Sequence, residues 1–253
     1  MTQRPPCFVI NLARSTERLD VIQQQFSALN LSFERVNAVD GKDLTSQQLN
    51  AVYAPQHPDA YYKTLNMGEI ACYLSHRAIW QRIVDEHIPF AIILEDDVHL
   101  HSSLPQSISA IEQMPEDWDY IKLAQHVRKR PTVHQHRFGD YTRVTYAKVP
   151  ARTCAQAVSY AGAKKLLEHS LPIIRPIDID LQYWWEKDLR IFGLMPYPAE
   201  PNVQQSSDIE VIAQRKKAVK SLTRKLSNMW QFYWLNRLHT KRRLASLNQD
   251  IQG

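Results

Sequence analysis

HIPFAIILEDDVHL, residues 87 to 100, contains the strand from which the rest of the chain can be placed. Its run Phe90-Ala91-Ile92-Ile93-Leu94 has the unbroken apolar character of a strand covered on both faces, and it stops abruptly at Glu95-Asp96-Asp97. Ligands of open α/β sheets bind beyond the carboxyl ends of the strands, so the three acids stand where such a site forms. Adjacent carboxylates repel one another when partly desolvated. A hard divalent cation that takes oxygen ligands, Mn²⁺ or Mg²⁺, relieves that repulsion, and a diphosphate can share it. In an extended segment Glu95 and Asp97 point to one side and Asp96 to the other. An isolated acidic triplet is more often a solvated strand-to-loop junction, so the surrounding sequence has to separate the two readings.

Upstream, CFVINL (7 to 12) reads as a buried strand. Leu19, Ile22, Phe26 and Leu29 then recur three or four apart, the spacing of one helix face, with Ser15 or Thr16 available as N-cap. LSFERVNAVDG (31 to 41) returns as a strand closed by an Asp-Gly turn, which completes a β-α-β opening typical of parallel sheets. The segment 54 to 66 reads as a loop and MGEIACYLSHRAIWQRIVDE (67 to 86) as a helix. Downstream, strands are expected at 119 to 124, 153 to 159 and 191 to 197, with a helix over 162 to 170. The expected class is α/β with a mostly parallel central sheet.

A chain of 253 residues with 44% hydrophobic content builds one substantial core, and 23% charged residues exclude a disordered or fibrous protein. Cys7, Cys72 and Cys154 are odd in number and widely spaced, which excludes a disulfide framework and a cysteine zinc site and suits a reducing compartment. The start MTQRPPCFVINL lacks a secretory signal pattern, and the longest apolar run, 88 to 94, is far too short to span a bilayer. A cytoplasmic protein is expected.

The charge is unevenly distributed. Residues 211 to 253 carry ten Lys or Arg against one acid, whereas residues 1 to 210 carry 21 basic and 25 acidic side chains. The expected organisation is therefore a main domain over 1 to 210 and a basic helical extension over 211 to 253. In that extension Ile212, Val219, Leu222, Leu226, Met229 and Tyr233 keep helical spacing, and the helix runs into the aromatic patch Trp230, Phe232, Tyr233 and Trp234. Three partners suit such a helix: an anionic membrane surface contacted through 211 to 243, its own domain, or nucleic acid. The Trp-rich end favours the first, and nucleic acid is not expected. A peripheral position on the cytoplasmic face of an inner membrane follows from the first reading.

VINLARSTER (9 to 18), NAVDG (37 to 41), GEIACYLSHRAIW (68 to 80) and AIILEDDV (91 to 98) follow one another along the chain. In that order these four segments resemble glycosyltransferase family 25, which includes bacterial lipooligosaccharide galactosyltransferases and relatives of the collagen galactosyltransferases. SYAGAKKLL (159 to 167) and PIDIDL (176 to 181) are weaker echoes. The basic tail lies outside the resemblance.

The resemblance implies a GT-A-type nucleotide-binding fold, a UDP-sugar donor, and an acidic motif standing in for the Asp-x-Asp metal site. Asp97 would be the metal ligand with Glu95 beside it, and Asp96 would support the metal or contact the donor sugar or ribose. It further implies inverting transfer of a hexose, galactose with a β linkage as the first guess, to a lipooligosaccharide or other saccharide or glycolipid acceptor. Such transfer needs a general base. PIDIDL supplies Asp178, preferred over Asp180, while either could instead cap a helix over 183 to 189; Glu200 is a further candidate. Asn11 and Arg14 would meet the uridine or diphosphate, and at least one of Glu69, Ser75 and His76 would line the donor site. Gln204, in VQQSSDI, is a weaker candidate. His134-x-His136 lacks a third metal ligand and reads as a solvated, charged loop on the acceptor side. Two other readings use the same acids. A metal-dependent phosphohydrolase lacks a nucleophile or histidine constellation, and a noncatalytic nucleotide-sugar or membrane-binding protein would keep the fold without turnover.

Overall fold

The apolar run of residues 90 to 94 is a strand in the computed structural model, which describes residues 4–124, 130–202 and 221–249. It is β3 (Phe90–Glu95), with Ala91 through Leu94 fully buried. Both edges are paired: β1 (Cys7–Asn11) runs parallel on one side and β8 (Ala155–Ser159) antiparallel on the other. The remaining strands of the sheet are β2 (Glu34–Asn37), β5 (Tyr120–Lys122), β6 (Thr132–Phe138), β7 (Tyr141–Tyr146) and β9 (Ile191–Met195). The eight-stranded order is β2-β1-β3-β8-β5-β9-β7-β6. Only β7 and β8 oppose the other strands, so the sheet is mixed, with the expected parallel β-α-β opening at one end.

Strand alternation divides the interior into two layers. Val9, Ile92 and Leu94 face a core closed by Ile22 and Phe26 of α1 (Thr16–Ala28) and by Ile108 and Ile111 of α4 (Leu104–Glu112). Phe8, Ile10, Ala91 and Ile93 face the other core. There Ile70, Tyr73, Ile79, Trp80 and Ile83 of α3 (Met67–Asp85) pack with Ala163 and Leu166 of α5 (Tyr160–Glu168). Helix α3 begins at a capping box in which Asn66 accepts from the Glu69 amide and Glu69 accepts from the Asn66 amide, both at 2.9 Å. Gly41, ahead of α2 (Ser46–Val52), lies so close to this start that a Cβ there would sit 2.8 Å from the Met67 carbonyl.

Two parts of the sequence reading change. His134-x-His136, expected in a charged loop, lies on β6 of the antiparallel hairpin β6–β7 at the sheet edge; this outer strand alternates without an apolar face, which hides it from a hydrophobicity pattern. The acids do not continue an extended strand either. The chain turns at Asp96-Asp97 and re-enters as β4 (Val98–Leu100), which pairs with β10 (Ala199–Pro201) in a separate ribbon.

The extension is described from Ser221 onward and consists of α7 (Leu222–Gln249). It packs on the body at the turn formed by α6 (Ile177–Asp180) and the 3-10 segment Leu181–Lys187. His239 stacks on Trp185 with centroids 5.4 Å apart, and Phe232 lies 5.0 Å from Tyr183. Asn236 donates to the Ala147 carbonyl at 2.7 Å.

Candidate active site

The turn after β3 sends the three acids to different partners. Glu95 points toward α3 and the entry to β8: its Oε1 lies 3.1 Å from His76 Nε2 and accepts from the Thr153 hydroxyl at 2.6 Å. His76 is 1% exposed, and Gln156 Nε2 lies 3.3 Å from its Nδ1. With Gln156 donating there, the ring hydrogen sits on Nε2 and points at Glu95. Burial raises the Glu95 carboxyl, but His76, Thr153 and the Lys122 charge outweigh it and hold the group below its ordinary range.

Asp96 points toward β1 and α1. Asn11 Nδ2 donates to its Oδ2 at 2.6 Å, and Arg18 lies 3.4 Å from its Oδ1. Asn11 is fully engaged, since it also donates to the Ser15 carbonyl and accepts from Arg35 Nε at 3.0 Å. Burial outweighs the Asn11 and Arg18 bonds and raises the Asp96 carboxyl.

Asp97 is different. Its Oδ1 is buried and has no hydrogen-bond partner among the described residues. Burial, then the negative charges of Glu95 and Asp96, push its carboxyl up to about 7. Its backbone carbonyl accepts from the Asn202 amide at 2.8 Å. A desolvated carboxylate oxygen with two acids beside it and no protein donor suits a divalent cation. Asp97 is the residue whose chemistry would fit such an ion, and Glu95 stands two residues before it in sequence.

Asp178 lies on α6, near enough for the charges of Lys122 and Glu95 to bear on it. Its Oδ2 accepts from the Arg152 amide at 3.4 Å, and burial raises its carboxyl. Arg152 has φ of 74°, a left-handed conformation uncommon for a side-chain-bearing residue, and its carbonyl accepts from Lys122 Nζ at 2.5 Å. One strained residue thus orients both Asp178 and Lys122. Burial lowers Lys122 to about 8.

Several expected site residues do other work. Asp180 accepts from Tyr73 Oη at 2.6 Å and pairs with Lys187 at 3.1 Å and Arg175 at 3.4 Å, which makes it the anchor of a buried ion cluster. Ser75 joins α3 to the loop after β2, donating to the Ala71 carbonyl and accepting from the Val39 amide. Glu69 closes the capping box and pairs with Lys63 at 2.9 Å. Of those three α3 residues, His76 alone touches the acidic cluster. Arg14 pairs with Asp40 at the mouth of the β1–α1 turn. Glu200 lies on β10, 3.8 Å from His101. Gln204 lies outside the described residues. Thr153, Gln156, Arg152, Lys122 and Arg35 also converge on the acidic cluster and carried no local motif, so only their meeting in space identifies them, whereas Arg18 closes the VINLARSTER segment.

The described residues form an α/β protein with a β-α-β opening whose third strand ends in a carboxylate cluster and with an antiparallel strand inserted beside it. The chain belongs to glycosyltransferase family 25: the family model described as "Glycosyltransferase family 25 (LPS biosynthesis protein)" matches residues 4–181. It is 29% identical to procollagen galactosyltransferase 1 of Danio rerio, over 75% of this chain and 35% of that protein. It is 30% identical to inactive glycosyltransferase 25 family member 3 of Mus musculus, over 80% of this chain and 38% of that protein. The chain spans about a third of the length of these curated relatives. A solved glycosyltransferase involved in glycosylation of the major capsid of PBCV-1 is a distant likeness, at 12% identity and a TM-score of 0.36 over 82% of this chain and 98% of that one.

Proposed function

We propose that this chain is an inverting, divalent-metal-dependent glycosyltransferase that moves a hexose, galactose first among the candidates, from a UDP-sugar to a saccharide or glycolipid acceptor. The observation that supports this most directly is the division of labour among the three acids. Glu95 and Asp96 are held by protein donors, while Asp97 offers a buried oxygen with none. A bound Mn²⁺ or Mg²⁺ supplies charge neutralisation for the departing nucleotide diphosphate.

The chain's own residues do the rest. His76 and Thr153 fix the Glu95 carboxylate, and Asn11 and Arg18 fix Asp96, so the cluster is set before substrate arrives. Asp178 takes the proton from the acceptor hydroxyl as that oxygen attacks the anomeric carbon opposite the departing diphosphate. Its raised carboxyl brings its basicity closer to neutral pH, where a general base is most effective.

Curated members of this family are named both as galactosyltransferases and as inactive, so turnover has to be measured directly. The test is a panel of UDP-sugars with lactosyl and glucosyl acceptors, with Mn²⁺ and with chelator. Metal-dependent transfer with inverted anomeric configuration is expected. Nucleotide release without transfer would instead identify a hydrolase, and binding without turnover a noncatalytic member.

A further inference from the structure

Amphipathic helices ordinarily turn their apolar stripe toward the protein core. Helix α7 does the reverse. Leu222, Leu226, Met229, Trp230, Tyr233, Trp234 and Leu238 all face outward, with Leu222 75% and Trp230 70% exposed. These seven are the great majority of the ten exposed large hydrophobic residues among those described. Their spacing of four, three, one, three, one and four keeps them on one side of the helix. The inward side carries polar and aromatic anchors: Asn228 donates to the Ala60 carbonyl at 3.2 Å, Asn236 to Ala147, and His239 stacks on Trp185. Arg243 lies 5.1 Å over the Trp184 ring. The helix is therefore clamped to the body by its polar and aromatic anchors, Phe232 among them, and offers its exposed apolar side to a partner.

The charge identifies the partner. From Leu222 to Gln249 there are six Lys or Arg and no acid. Arg237 and Lys241 continue the outward face beyond Trp234 and are exposed. Trp and Tyr favour the boundary between lipid headgroups and acyl chains, and basic residues beside them favour anionic headgroups. Pairing of two copies through this face would bring together two helices that are wholly positive, with no acid on either to offset the repulsion. No helix among the described residues is long and apolar enough to cross a membrane.

We propose that the outward face of α7 docks this protein onto an anionic phospholipid surface, the helix lying in the interface while its other face holds the body against the membrane. This goes beyond the catalytic reading and does not depend on it.

The test is co-sedimentation of the full chain with phosphatidylcholine vesicles containing phosphatidylglycerol, compared with phosphatidylcholine alone. It is joined by quenching of tryptophan fluorescence with brominated lipid. Binding to the anionic vesicles, weakened by salt, with quenching, is expected. The combined Leu226→Ser, Trp230→Ser, Trp234→Ser variant should lose roughly tenfold or more in vesicle affinity while keeping its melting temperature and its behaviour toward soluble ligands. Failure of the unaltered protein to bind anionic vesicles, or undiminished binding by a folded variant, overturns the proposal. A lipid-free dimer abolished by the same substitutions also overturns it, in favour of self-association. If the variant misfolds, the presence or absence of brominated-lipid quenching in the unaltered protein decides.

Discussion

His76 Nε2 lies 3.1 Å from Glu95 Oε1, joining the middle of α3 to the last residue of β3. A histidine 1% exposed, supported from behind by Gln156, holds one member of the acidic triplet in a fixed orientation. The orientation of Glu95 therefore depends on α3, whose His76 lies nineteen residues away in sequence. Outer partners of this kind orient a ligand and set its basicity. His76→Ala should weaken Mn²⁺ binding by about 10- to 100-fold, read by calorimetry, with the nucleotide's own affinity less affected. An unchanged metal affinity would show that Glu95 needs no such support.

Asp97 should govern the pH dependence of metal binding. With its carboxyl near 7, a proton competes with the metal below that value, so Mn²⁺ affinity should rise by about tenfold per pH unit up to neutrality and level off above. Asp97→Asn should abolish both the affinity and its pH dependence. A flat profile in the unaltered protein from pH 5 to 8 would count against this role.

The same group links pH to stability. In the metal-free protein Asp97 keeps its proton to about 7, whereas the unfolded carboxyl releases it near the ordinary value of 3.8. Between these values the folded state binds more protons than the unfolded state, so this carboxyl's contribution to stability falls as pH rises. Relative to Asp97→Asn, the metal-free protein should lose melting temperature across that window, and saturating Mn²⁺ should remove the difference. A difference of the opposite sign would contradict the direction of the shift.

The two PIDIDL acids should separate cleanly. Asp178→Asn is expected to reduce kcat by roughly 10²- to 10⁴-fold with little change in melting temperature, as for a lost general base. Asp180→Asn removes the centre of the Tyr73, Arg175 and Lys187 cluster and should cost about 3–5 kcal/mol of stability. Equal loss of stability in both variants would make Asp178 structural as well.

Ser75→Ala strips the Val39 amide of its partner and should destabilise the fold by about 1–3 kcal/mol, measured by denaturant unfolding. Its KM for the donor should stay unchanged, since Ser75 serves the packing of α3 and the serine contacts neither Glu95 nor Asp97. A donor-specific KM effect would return this residue to the site.

The sequence by itself determined the α/β class, the β-α-β opening, the strand ending in Glu95-Asp96-Asp97 and the basic helix, because each is written in local periodicity and in the abrupt change from apolar to acidic residues. Those signals lie within a few residues of one another. What the triplet's members do was decided by tertiary structure. Glu95, Asp96 and Asp97 are neighbours of nearly the same chemistry in sequence, yet one meets His76 and Thr153, another meets Asn11 and Arg18, and the third keeps a buried Oδ1 with no hydrogen-bond partner among the described residues. That division arises from strands and helices brought together across the sheet, and so does the difference between Asp178 and Asp180, two residues apart. The direction of α7 has the same origin: periodicity defined an apolar stripe, but only the anchors at Trp185, Ala60 and Ala147 determined that the stripe faces outward. A helical pattern fixes which residues share a face, and the contacts made by the opposite face fix where it points.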